Sequence, residues 1–189
     1  MQARAFTTTS VGWPAVRPRD TIVALTDSIR SPINRLEETV PTITPFLWFD
    51  GRVGEAVEFY TSLFDDSALV DSSPGPDGEL FMATFTLGGR EFMILNGGPH
   101  YDLNPAFSMF VSVPTQAEVD HYWDALCAGG EPGRCGWLVD RFGLSWQIVP
   151  EALGTLMGDE DPVRAGRVRD AMLAMSKIDI AGLHAAYDG

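Results

Sequence analysis

The chain has 189 residues, 45% of them apolar and 21% charged, with a formal charge of −13. That composition is globular, and the length suits one domain or two small packed modules. No apolar run approaches the roughly 18–20 residues of a membrane span, and an acidic surface repels phosphate backbones, so neither a membrane nor nucleic acid is an expected partner.

Residues 1–40 differ in texture from the rest. Five arginines (Arg4, Arg17, Arg19, Arg30, Arg35) face four acids, leaving this stretch at +1 and residues 41–189 at −14. Thr7–Ser10 with Pro14 and Pro18 reads as loop, and Thr21–Leu25 as one short strand. No continuous apolar core follows the basic residues, so a secretory signal is not expected. The stretch reads as a flexible extension. The alternatives are a transit-like or partner-binding arm, or a translation start near Val40.

An internal repeat follows. Its first copy, about residues 41–98, opens with the strand Ile43–Phe49, ended by Asp50-Gly51. A helix over about Arg52–Phe64 places Val53, Ala56, Val57, Tyr60, Leu63 and Phe64 at helical period on one face. Ala68–Asp71, a turn over 72–78, and the hairpin Glu79–Leu87/Arg90–Asn96 around Gly88-Gly89 complete it.

The second copy, about residues 106–150, opens with the strand Ala106–Val113. Thr115-Gln116-Ala117-Glu118 is a capping box, in which the Thr115 hydroxyl accepts the Glu118 amide while Glu118 reaches back. Val119, Tyr122, Trp123 and Leu126 form the buried helix face, and Gly129-Gly130 stops the helix. After a short strand near Glu131, the run Cys135–Pro150 reads as two apolar strands joined by a tight turn at Asp140–Gly143. Gln147 stands alone and polar inside the second of them. Burying an unpartnered amide costs about 1–3 kcal/mol, so Gln147 is expected to face water or a cavity.

Residues 151–189 read as a helical tail. Glu151–Met157 is a short helix, Asp161-Pro162 starts a second one, and Ile180–Tyr187 adds a third. Val168, Met172 and Met175 form its apolar seam, read as core packing. The consecutive acids Asp159, Glu160 and Asp161 read as helix-capping charge rather than as a metal cluster.

Period-two alternation selects the residues facing a cleft. Thr44, Phe46 and Trp48 share one face of the first strand, Ser108, Phe110 and Ser112 one face of the fifth, and Ser145, Gln147 and Val149 one face of the last. Small polar groups beside large aromatics suit a pocket for a small, partly apolar molecule; the alternative is that they satisfy one another in a closed core. His121 and His184 read as surface or packing residues, and His100 as a loop residue at a plausible cleft mouth. Glu91 and Asp102 are read equally as surface acids or as an acid near the cleft. Cys127 and Cys135 read as inert thiols, since neither has a histidine near in sequence to activate it, and two cysteines indicate no disulfide framework, so a reducing, cytoplasmic setting is expected.

The tandem strand–helix–three-strand pattern resembles the vicinal oxygen chelate (glyoxalase/bleomycin-resistance) superfamily. The wording is similar to its PhnB-like subgroup: Thr44-Pro45-Phe46-Leu47-Trp48-Phe49-Asp50-Gly51, Phe59-Tyr60, Leu95-Asn96-Gly97-Gly98-Pro99, Gln116-Ala117-Glu118-Val119-Asp120, the Cys135–Pro150 run, and Ala171-Met172-Leu173-Ala174-Met175 before Lys177-Ile178-Asp179-Ile180. Proteins of this kind are often labelled 3-demethylubiquinone-9 3-methyltransferase-like, yet no strand–glycine-rich-loop–helix unit for a nucleotide cofactor is visible. The resemblance implies an α+β fold whose tandem βαβββ modules form a curled mixed sheet around a cleft, with C-terminal helices, and a homodimer. The superfamily's metal-ligand positions fall near Thr44, near Asn96 (with the register open toward Phe92 or Ile94), on Ser108 and on Gln147. None is His, Asp or Glu, so no metal and no cofactor is expected. The implied function is binding or modifying a small organic molecule, the cleft being lined by Thr44, Phe46, Trp48, Asn96, Ser108, Phe110 and Gln147. The alternatives are a metal-dependent glyoxalase- or dioxygenase-type enzyme with ligands in another register, and a drug-sequestering resistance protein.

Overall fold

A computed structural model describes residues 41–189; the strand read at Thr21–Leu25 and the extension read over 1–40 lie outside the described residues. The first sheet is built from β1 (Phe46–Phe49), β2 (Ala68–Pro74), β3 (Leu80–Leu87) and β4 (Arg90–Asn96), with α1 (Val53–Leu63) between β1 and β2. The second is built from β5 (Met109–Val113), β6 (Glu131–Pro132), β7 (Trp137–Val139) and β8 (Ser145–Pro150), with α2 (Gln116–Cys127) after β5. Three helices follow: α3 (Glu151–Met157), α4 (Pro162–Ala174) and α5 (Ile180–Asp188).

The two sheets repeat one topology, β1-β4-β3-β2 and β5-β8-β7-β6. In each, the first strand lies parallel to the last and the other pairs are antiparallel. The fold is thus α+β, as expected, but the expected curled mixed sheet is corrected to two separate sheets, because no strand of one pairs with a strand of the other.

Both opening strands start later than their apolar patterns suggest. Pro45 has no N–H to donate, although its carbonyl still accepts from Met93 at 2.9 Å. Before β5, the Asn104 side chain accepts the Ala106 amide at 3.0 Å and the Asn104 carbonyl accepts from Phe107 at 3.2 Å, which curls the chain into a turn there. Thr44 and Ser108 consequently stand just outside their strands.

One apolar cluster joins the two sheets. It takes Leu47, Phe49, Phe85 and Ile94 from the first and Met109, Leu138, Trp146 and Ile148 from the second. The helical period of α1 explains its share: Val53, Ala56, Val57 and Tyr60 are buried. At the next turn, Phe64 stacks on Trp146 and on Tyr122, with centroids 5.3 and 4.9 Å away. The helix therefore covers its own sheet and reaches the core of the second.

Asp140 closes this junction. It is 3% exposed and accepts four hydrogen bonds: Tyr60 Oη at 2.6 Å and Trp146 Nε1 at 2.8 Å on Oδ2, and the amides of Phe142 at 2.8 Å and Leu144 at 3.1 Å on Oδ1. The tail forms a smaller cluster of Leu153, Leu156, Val168, Ile178 and Leu183. Gln116 clamps it to α2, donating to the Ile178 carbonyl at 3.2 Å and accepting from the Ile180 amide at 2.8 Å.

Candidate functional site

Strand alternation separates a core face from an open face on each sheet. On the second sheet, Phe110 is opposite Gln147, and both point away from the core that takes Met109 and Trp146. Gln147 Nε2 donates to Ser108 Oγ at 2.8 Å, so two residues 39 apart in sequence meet on this face. Phe110 beside them is 55% exposed. Among the described residues the bond leaves Gln147 with its carbonyl oxygen and second N–H unpaired, so the pair can both accept from and donate to a ligand. By the same alternation Ser145 shares this face; it is buried, and its hydroxyl is the buried side-chain polar group left without a partner among the described residues.

On the first sheet Phe46, 49% exposed, pairs with Met93 and faces away from the core. Thr44 Oγ1 donates to Glu91 Oε1 at 3.2 Å at the margin of this face. Trp48 is turned to a different use. Its Nε1 donates to the Gly98 carbonyl at 2.8 Å, and its ring meets Tyr101 edge-on at 5.1 Å, so it anchors the loop that follows β4. A Cβ on Gly97 would come within 2.1 Å of the Trp48 ring, which is why that position must be glycine.

Asn96, expected in the cleft, is bonded into a turn. It ends β4 opposite Phe49, on the same alternation as Phe92 and Ile94, and its Oδ1 accepts the Gly51 amide at 2.9 Å. It pins the turn between β1 and α1 and does not line the open face, where Met93 and Leu95 stand instead. Among the described residues, no hydrogen bond links the Thr44–Phe46 group to the Ser108–Gln147 group. Phe46 on the first sheet and Phe110 with Gln147 on the second lie on the faces opposite the shared core.

The donors present do not fit a divalent cation. Thr44 and Ser108 offer neutral hydroxyls and Gln147 an amide already bonded to Ser108. Glu91 is the one carboxylate bonded into either group, and among the described residues no cluster of three or more His, Cys, Asp or Glu side chains is placed to hold an ion. A nucleotide-type methyl donor fits no better. The turn from β1 to α1, Asp50–Arg52, has a single glycine, and each sheet has only one parallel strand pair. His100, His121 and His184 are all exposed. Burial raises the Cys127 thiol pKa, with the Asp124 charge adding to it, which disfavours a thiolate there. Asp159 accepts from Tyr187 Oη and from the Asp161 amide, and Asp161 caps α4, so these acids serve the helix start.

A cavity of about 340 Å³ opens elsewhere, between the turn after β1, the loop after β4 and the Asp140–Gly143 turn. Of the residues selected by alternation it includes Trp48 alone. Its two arginines, Arg52 and Arg141, were not singled out from the sequence: they are 89 positions apart, and no local pattern signals that they meet.

Comparison with known proteins places residues 41–149 in a family described as 3-demethylubiquinone-9 3-methyltransferase. A solved PhnB protein from Bacillus cereus, carrying that same description, is 35% identical, with 58% of this chain and 99% of that one aligned and a TM-score of 0.55. A protein from Pseudomonas aeruginosa shares the fold at 22% identity, over 59% of this chain and 98% of that one, with a TM-score of 0.51. A fosfomycin resistance protein, FosX, from Listeria monocytogenes is matched at 16% identity over 58% of this chain and 91% of that one, with a TM-score of 0.44. No curated protein matches the chain. Helices α3–α5 lie beyond the family match, and among the described residues no helix is long and apolar enough to cross a membrane.

Proposed function

The chain belongs to the 3-demethylubiquinone-9 3-methyltransferase family of PhnB proteins, and from that premise we propose that it binds a small, partly apolar organic molecule without a resident divalent metal. The observation that carries this reading is the Ser108–Gln147 pair, held at 2.8 Å on an open sheet face beside the half-exposed Phe110. The pair orients a ligand through neutral hydrogen bonds while Phe110 covers its apolar part. The groups there are neutral hydroxyls and an amide, none of them a strong general base, so the activity proposed is recognition rather than methyl transfer.

The partner surface proposed is a second copy of the chain. Thr44 and Phe46 on one protomer would meet Ser108, Phe110 and Gln147 on its partner.

A screen of small organic molecules by thermal shift, followed by calorimetry, tests the reading. Compounds that bind the wild type should lose at least about tenfold in affinity with Gln147→Ala, since a polar partner of the ligand is removed, with little change in Tm. Parallel additions of Mn²⁺, Ni²⁺, Zn²⁺ and Fe²⁺ should leave Tm unchanged. A stoichiometric ion displaced by the Gln147 change would overturn the metal-free reading.

A further inference from the structure

The cavity of about 340 Å³ at the module junction has carboxylates in its wall that nothing neutralises. Its two arginines are occupied elsewhere. Arg52 donates to Glu55 Oε2 at 2.9 Å and to the Arg141 carbonyl at 3.3 Å. The Arg141 side chain packs along Gly129, and its Cζ lies 4.2 Å from the Phe59 centroid. Glu55, Phe59 and Gly129 are all outside the cavity wall. Phe142 is taken as well, with Arg52 Cζ 4.7 Å and Arg141 Cζ 5.0 Å from its centroid. What remains are Asp50 and Asp102, two exposed carboxylates with neither a hydrogen bond nor an ion pair among the described residues. Trp48 and Tyr101 stand in the same wall, their rings at 77° with centroids 5.1 Å apart, and Tyr101 is 68% exposed. The bond from Trp48 Nε1 to the Gly98 carbonyl, 2.8 Å, fixes one side of this aromatic corner.

The chemistry of the wall selects a cation. An anion would meet Asp50 and Asp102 as well as the field of a chain at −13. A metal ion needs more ligands than two carboxylates, and no cluster of three or more His, Cys, Asp or Glu side chains is present among the described residues. An aromatic corner beside carboxylates suits a methylated ammonium group, which ring faces attract and which has no N–H to satisfy. The volume lies near the lower end of the roughly 300–1,000 Å³ usual for ligand cavities, so the guest is small. We propose that this cavity is a second binding site, independent of the sheet-face site, for a small quaternary ammonium compound. The cationic head lies against Trp48 and Tyr101, and Asp50 and Asp102 balance its charge.

Calorimetry on the full chain with three probes separates the terms: choline, its neutral carbon isostere 3,3-dimethyl-1-butanol, and ethanolamine. Choline should bind saturably, and the isostere at least about tenfold more weakly, since it forfeits the attraction of both carboxylates and ring faces. Ethanolamine should also bind more weakly than choline, because its ammonium is strongly hydrated and the rings offer it no acceptor. Asp50→Asn and Asp102→Asn should each weaken choline about two- to fivefold, the range of an exposed ion pair, and raised salt should weaken it too. Tyr101→Leu should cost a similar factor while Tyr101→Phe retains binding, a split that a merely structural role for this exposed side chain would not produce. Gln147→Ala should leave choline binding unchanged, which keeps this site's fate distinct from that of the sheet face. No saturable choline binding, equal binding of the isostere or of ethanolamine, or indifference to Asp50→Asn, Asp102→Asn and Tyr101→Leu alike would overturn the proposal.

Discussion

Asp140 accepts two backbone amides from its own turn and two side-chain donors from farther away, and one of those donors, Tyr60, lies 80 positions upstream. A carboxylate so placed is both a turn former and a tie between modules. Replacing it by Ala leaves two amides, an indole and a phenol without an acceptor in the interior. At about 1–3 kcal/mol for each buried group left unpaired, partly relieved by water, Asp140→Ala should lower the unfolding free energy by about 3–4 kcal/mol in urea titrations. Tyr60 carries a matching pH signature. Burial, and then the charge of Asp140, hold its pKa well above the usual value of 10.0. The neutral phenol is thus favoured in the folded state, and its contribution is complete below about pH 10 and lost as pH rises toward the folded value. The alkaline fall in Tm should accordingly be shallower in Tyr60→Phe than in the wild type. The Asp140–Gly143 turn is legible in the sequence; its tie to α1 is not, because Tyr60 is distant and only tertiary packing delivers it.

At the scale of elements, periodicity and capping were dependable. The Thr115–Glu118 box forms reciprocally, the Thr115 hydroxyl accepting from the Glu118 amide at 3.2 Å and the Thr115 amide donating to Glu118 Oε2 at 3.1 Å. Alternation likewise put Phe110 and Gln147 on one face. The apolar pattern overran the strands where backbone chemistry overrides it, at Pro45 and at the Asn104 turn. The tail's attachment is another matter of long-range contact. Lys177 bridges Asp120 at 3.1 Å and Asp124 at 2.7 Å on α2. The Asp120 pKa is lowered first by the hydrogen bond from Gln116 and next by Lys177. A lowered carboxyl pKa stabilises above the unfolded value, near 3.8, and that support is lost as pH falls below it. Amides of α5 should therefore lose protection relative to their intrinsic exchange rates below about pH 4, the ordinary range for a carboxyl. Lys177→Ala should bring similar fast exchange at neutral pH, with α1 unaffected; hydrogen-exchange mass spectrometry reads both.

The whole molecule presents an uneven surface: a strongly negative charge overall, with Phe46 and Phe110 half exposed on the open faces. The proposed dimer would cover those rings against like-charge repulsion. Sedimentation should then find a dimer that tightens as salt rises from low to physiological strength, because screening acts on the repulsion and leaves apolar burial intact. Phe110→Asp should shift it to monomer without lowering Tm, since that ring lies outside the core. A monomer at every salt concentration would sink the two-copy cleft.

The order of strands and helices, the repeated module, the neutral character of Ser108 and Gln147 and the kinship with PhnB proteins were all readable in the chain itself. Each rests on local period, turn chemistry or the identity of side chains, which adjacent residues carry with them. What only the tertiary structure decided was which faces meet. The shared core between the two sheets leaves Phe46 and Gln147 on the opposite faces, and Arg52 and Arg141 meet on one aromatic ring. Those outcomes depend on which apolar face a helix finds to bury against, a choice made between segments far apart in the chain.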